Sequence, residues 1–244
     1  NARVQEARSL LAKANRSEIE DYQLLFAVRR ALDADPSNKE ASKMLQDTRS
    51  LRDLTVARLM DRSRRAWNKV GKDMSSSEKE TLYVEALSTT NRALAIDPDN
   101  RTVRSWRDQI QLPLKTIVDD IVKAAYDLKS RDQFTNALRQ ADRIKAINAQ
   151  TLSAFKQAEE SLRFNLYYDW ALGLERNRRY AAALEKIEAA LDVRRTDEAI
   201  EARRRIAIAW RAPVAAKPAP RPAPRPAPKP APRPAPKPAA AESA

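Results

Sequence analysis

Few residues in this chain could carry chemistry, and their spacing decides against most reactions. Ser76 stands three positions before Lys79, the spacing at which a lysine can draw the proton from a nucleophilic serine. The Lys-Thr-Gly and Ser-Asp-Asn segments that complete such a site do not occur. Three successive serines, Ser75 to Ser77, ahead of a helical segment are better explained as caps, whose hydroxyls accept the first free amide hydrogens. Asp119-Asp120 and Glu159-Glu160 are adjacent carboxylates. Neighbours along a helix do not share a face, so neither pair makes an acid/base dyad or a metal grip. With 0 His and 0 Cys there is no imidazole base, no thiolate nucleophile and no Cys/His zinc site. Two glycines, Gly71 and Gly173, are too few for a glycine-rich phosphate loop. Neither a catalytic residue nor a cofactor nor a metal is expected.

Charge is the chemistry that remains. The formal net charge is +13 over 244 residues. Basic runs occur at Arg62, Arg64, Arg65 and Lys69, at Arg176, Arg178 and Arg179, and at Arg203, Arg204 and Arg205, with Trp67, Tyr180 and Trp210 nearby. From Lys217 onward six cations (Lys217, Arg221, Arg225, Lys229, Arg233 and Lys237) face a single acid, Glu242. Both parts are therefore basic, which suits an anionic partner such as nucleic acid, an acidic protein, anionic lipid or a wall polymer. No recognised nucleic-acid motif accompanies the charge.

The elements that would position these residues divide at Ala212. Residues 1–211 carry helical periodicity; residues 212–244 form a Pro-Ala-Lys/Arg tract. In the tract Lys/Arg-Pro-Ala-Pro repeats from 217 to 238, which predicts polyproline II or extended coil. At ~3.1 Å per residue that stretch could reach on the order of 65 Å. Its prolines fall on every second position, so the odd step of a PxxP ligand never occurs. A stiff, evenly charged spacer suits reach, or weak contact with a polyanion through its six cations.

Within 1–211 the pattern predicts a first helix over Ala2–Ala14. A capping box of Ser17 with Glu20 then opens a helix ending before Pro36 and burying Tyr22, Leu25, Val28 or the Arg29 stem, and Leu32. Ser37 or Asn38 caps one long helix to about Val70, roughly 45 Å at ~1.5 Å per residue, with Ala41, Leu45, Thr48, Leu51 and Leu59 on its apolar side. Ser77 with Glu80 is expected to box the next helix, which carries Leu82, Ala86, Leu87, Thr90, Ala93 and Leu94 and ends at Pro98. A short helix over 100–111 is expected to be interrupted or kinked at Pro113. Two helix pairs follow, over 114–129 with 132–147 and over 151–177 with 179–193, and Thr196 caps a last helix ending near Arg211. No stretch of about 18 apolar residues occurs, so no membrane-spanning helix is expected. The chain begins at Asn1 rather than Met, as a processed chain or a piece of a longer one would.

Ala31-Leu-Asp-Ala-Asp-Pro-Ser-Asn38 returns as Ala93-Leu-Ala-Ile-Asp-Pro-Asp-Asn100. A self-similar helical segment points to stacked helices. Tyr167, Trp170, Ala171 and Leu174, followed by Tyr180, Ala183, Ile187 and Ala190, resemble the two helices of a tetratricopeptide repeat, with Arg195 in place of the closing proline. Tyr83, Ala86, Ala93 and Pro98 resemble a second helix of that unit, as do Leu24, Val28, Ala31 and Pro36, and also Phe134, Ala137, Ala141 and Ile144. Small residues let paired helices approach and bulky ones fill the gap beside them. The spacing departs from the family. Pro36 and Pro98 stand 62 positions apart, against about 34 for a repeat, so units with extended helices are expected.

The resemblance implies an all-α, irregular tetratricopeptide-like solenoid of about four antiparallel helix pairs, followed by a disordered or polyproline II tail. It implies a concave surface made by first helices, with Tyr126, Lys129, Asn165, Tyr168 and Arg176 at ligand positions. The expected function is a non-enzymatic scaffold for a multi-protein complex, with the basic tail as tether to the wall. Such tracts on helical repeats are similar to bacterial cell-envelope components of secretion, pilus or motility machines, which implies a periplasmic location. The alternative is a cytoplasmic protein that binds nucleic acid or another polyanion.

Overall fold

The computed structural model describes residues 2–211, and the descriptions below concern those residues. They form ten α-helices: α1 Ala2–Leu11, α2 Glu18–Ala34, α3 Lys39–Asp47, α4 Arg49–Asn68, α5 Ser76–Ile96, α6 Arg101–Lys129, α7 Phe134–Gln150, α8 Lys156–Arg176, α9 Tyr180–Val193 and α10 Asp197–Arg211. The chain is all-helical over this range, with no strand among the described residues.

Helix starts follow local hydrogen bonding. At α2 the Ser17 hydroxyl accepts the Glu20 amide N–H at 3.3 Å while the Glu20 carboxylate accepts the Ser17 N–H at 2.9 Å, closing a reciprocal box. Asn38 and Asn100, the two asparagines of the repeated segment, each accept an amide N–H three residues on, from Ala41 at 2.9 Å and Val103 at 3.2 Å. The box at α5 lies two residues earlier than expected. Ser75, not Ser77, is the cap, and Glu78, not Glu80, closes it at 2.8 Å. Glu80 is engaged elsewhere, accepting from Arg143 of α7 at 2.8 Å.

Three expected boundaries move for physical reasons. The long helix after Asn38 is two helices that part at Thr48, whose hydroxyl bonds back to the Met44 carbonyl at 2.7 Å. The halves serve different cores: Ala41 and Met44 pack with α1 and α2, whereas Val56 and Met60 pack with Leu25, Ala93, Ile96 and Val103. Pro113 does not interrupt α6, which runs through it. Ile110, Leu114, Val118 and Ile121 form a buried stripe across the proline. Each such side chain contributes about 1.5–3 kcal/mol on burial, together more than the ~3 kcal/mol that proline costs inside a helix. Helix α8 begins at Lys156 rather than Thr151. Leu152 and Ser153 adopt left-handed backbone (φ 53° and 63°). The Asn148 side chain ties this turn down, accepting the Phe155 N–H and donating to Glu159, both at 2.8 Å.

Side-chain bonds between helices reveal how the elements lie. Between α7 and α8, Asn148 meets Glu159, Asp142 meets Arg163 and Phe134 stacks on Trp170, so the pair is antiparallel. Between α6 and α8, Tyr126 meets Asn165 and Lys129 meets Asp169, separations of 39 and 40 positions, so these helices run parallel. Between α5 and α7, Glu80 meets Arg143 and Asn91 meets Thr151, the residue just past the end of α7, separations of 63 and 60, again parallel. From α5 to α8, therefore, α7 and α8 fold back on one another and alternate helices align, as in a stack of helical hairpins.

Candidate functional site

The five residues expected to face a ligand do not act alike. Tyr126 and Lys129 lie one turn apart near the end of α6; Asn165 sits opposite them on α8. The Asn165 amide donates to the Tyr126 hydroxyl at 2.9 Å. The Lys129 ammonium pairs with Asp169 at 2.6 Å and lies 5.1 Å from the centre of the Tyr126 ring. Three of the five thus converge, and they bond mainly to one another and to Asp169. They form a latch between α6 and α8, half-buried and polar, whose outer edge remains open to solvent.

Tyr168 leaves the latch. Its ring stacks on Phe164, one turn back, with centroids 5.7 Å apart and planes at 13°. Arg194 sits over that same Phe164 ring at 4.4 Å. Arg176, at the end of α8, is exposed, and its Nε donates only to the Leu172 carbonyl of its own helix at 3.4 Å. The partner missed from the sequence is Asp169. It lies four residues after Asn165 and so shares its helix face, which is the signal that could have found it.

The two later basic runs are divided among separate contacts once folded, whereas Arg62 and Arg65 of the first line one groove. Arg205 makes a two-point bond with Glu175, both contacts at 2.8 Å, and its guanidinium holds the Glu175 carboxyl below the usual carboxylate range. Arg203 pairs with Glu188 at 3.1 Å. Arg178 and Arg179 lie exposed in the α8–α9 turn. Trp67 is no platform for bases, because its ring packs between Tyr83 and Trp106 at 5.4 and 5.5 Å. Tyr180 is half-buried against the α8–α10 core, while Trp210 is exposed. The carboxylate pairs serve the fold: Asp119 pairs with Lys115, Glu159 with Arg163 and Glu160 with Lys156. Lys79 points away from Ser76 chemistry, donating to the Lys72 carbonyl at 3.0 Å.

Among the described residues no cluster of three carboxylates is placed to hold a metal ion, and no helix is long and apolar enough to cross a membrane. The tail cations Lys217, Arg221, Arg225, Lys229, Arg233 and Lys237 lie outside the described residues. No protein-family model, no curated protein and no solved structure matches the chain, so what it does must be argued from its own residues.

Proposed function

We propose that the chain is a non-enzymatic scaffold, a tetratricopeptide-like stack of helical hairpins that holds other proteins of a larger assembly together. The observation that carries this reading is the parallel alignment of α6 with α8 at a fixed offset of 39 to 40 positions. Hairpins stacked in this way present a row of side chains from successive first helices along one side, a form suited to holding a protein partner. The polar latch and the exposed Arg176 beyond it offer hydrogen-bonding and charged groups to that partner. On this proposal the Lys/Arg-Pro-Ala-Pro segment acts as a tether, and the assembly belongs to a bacterial cell envelope; a cytoplasmic setting with nucleic acid as partner is the competing proposal.

Affinity capture from the native source at moderate salt, with the full chain and with a version ending at Arg211, tests the scaffold. The expected result is the same discrete protein partners on both. Capture that needs the residues beyond Arg211, and that disappears with added salt or nuclease, would instead mark binding by neutralisation of phosphates.

A further inference from the structure

A groove of about 390 Å³ lies between α2 and α4, with α5 at its end. Helix α4 lines it with Thr55, Arg58, Leu59, Arg62 and Arg65, which recur at helical spacing along one side, and α2 contributes Ile19 and Tyr22. We propose that this groove receives an acidic amphipathic segment of another protein.

The floor is apolar and the walls are cationic. Leu59 and the Tyr22 ring form the floor, and Ile19 stands at its edge 70% exposed, although it is a large aliphatic side chain in the first turn of its helix. Tyr22 stacks on Phe26 at 5.8 Å, and a tyrosine is uncharged near neutral pH, so it adds no negative charge to the floor. Arg58, Arg62, Arg65 and Arg92 surround it, against only Glu18 and Asp61 among the lining residues.

The arginines are available. Arg58 reaches Glu18 only at 3.7 Å, and the Arg62–Glu85 and Arg65–Asp61 pairs are largely exposed. Exposed pairs contribute little, so exchange for a partner's carboxylates costs little. Arg92 lies 5.8 Å from the Tyr22 ring centre and has no carboxylate partner among the described residues.

The groove exists because of how α4 is used. Ser63 and Trp67 turn one side of α4 towards Trp106 of α6. The adjoining flank, with Arg58, Leu59 and Arg62, lines the groove against α2 and Arg92 of α5. From Thr55 to Arg65 the open face runs for roughly 15 Å, about three helical turns. A nucleic acid would satisfy the arginines but has no use for Ile19 and Leu59. A segment with carboxylates flanking an aliphatic or aromatic anchor uses both.

The test is a phage-displayed library of random peptides, roughly three helical turns long, panned on the full chain. Enriched peptides should carry Asp or Glu around Leu, Ile or Phe at helical spacing. With an enriched peptide labelled by fluorescein, the Arg58→Glu/Arg65→Glu double variant should weaken binding by at least about tenfold. Ile19→Ser, at an exposed position where folding is not at stake, should weaken it by about three- to tenfold. Lys129→Glu, in the α6/α8 latch, should leave it unchanged, so loss of the scaffold surface and loss of this groove are separable. Far-UV circular dichroism and thermal melting verify each variant's fold. The proposal is overturned if no acidic consensus emerges, or if the groove variants bind as the parent does. It is equally overturned if single-stranded DNA competes fully while Ile19→Ser has no effect.

Discussion

Asn148 bonds to several groups of the following turn at once. Its side chain accepts the Phe155 N–H and donates to Glu159, and its carbonyl accepts the Ser153 N–H at 2.9 Å. It is buried, so removing the amide strands the Phe155 N–H away from water. Asn148→Ala should cost about 1–3 kcal/mol, measured by urea unfolding. In the α6/α8 latch, Tyr126→Phe removes the acceptor of the Asn165 amide and should cost about 0.5–1.5 kcal/mol by the same measurement. A variant that is fully stable would mean that Tyr126 is free for a ligand instead. Titration at Glu20 has a definite sign. The Lys13 ammonium, then the Ser17 N–H and hydroxyl, lower its carboxyl from 4.5 to about 2. A carboxyl lowered in the folded state stabilises it above the unfolded value, and that contribution fades as pH falls from 4.5 towards 2. Parent and Glu20→Gln melting temperatures, measured by circular dichroism, should therefore differ near neutrality and converge at the acid end of that window. The Ser17–Glu20 box was legible in the sequence because all its atoms lie within four residues. The Lys129–Asp169 bond was not, because it joins residues 40 positions apart.

At the scale of elements, periodicity located helices well and their ends less well. The turn after Asp35 could be read directly; of the stripe expected on α2, Leu25 and Val28 are buried, whereas Tyr22 and Leu32 are only half-buried and Leu24, Ala27 and Ala31 complete the buried face. The break at Thr48 could not, because it depends on which core each half of the segment enters. Pro113 is the opposite case: a local rule argues for interruption, and the buried stripe from Ile110 to Ile121 overrides it. Two substitutions separate these effects. Pro113→Ala restores an amide donor inside a helix that is already formed and should stabilise the fold by up to about 3 kcal/mol. Leu114→Ala, at a fully buried position, should destabilise it by about 2–5 kcal/mol. Chemical denaturation reads both. If Pro113→Ala were destabilising, the proline ring would itself be needed for packing.

For the molecule as a whole, the all-helical class was visible from helical periodicity and repeated turn residues alone. The tetratricopeptide resemblance singled out Tyr126, Lys129 and Asn165 as ligand positions, and only the packing of α6 on α8 revealed that they engage one another. Of the arginine groove only Arg62 and Arg65 stood out as part of a basic run; that they join Arg58 and Arg92 around Tyr22 and Leu59 depends on where α4 has an uncovered side. The alignment of neighbouring helices has a mechanical consequence. Ser63 meets Thr90 across 27 positions within one antiparallel pair, whereas Asn165 meets Tyr126 across 39 and Arg143 meets Glu80 across 63, each joining one pair to the next. Each hairpin can thus close soon after its own residues leave the ribosome, with little loop entropy to overcome. Held by its ends in an optical trap, such a chain lengthens in steps, one hairpin after another, and on relaxation shortens again in steps instead of in one snap.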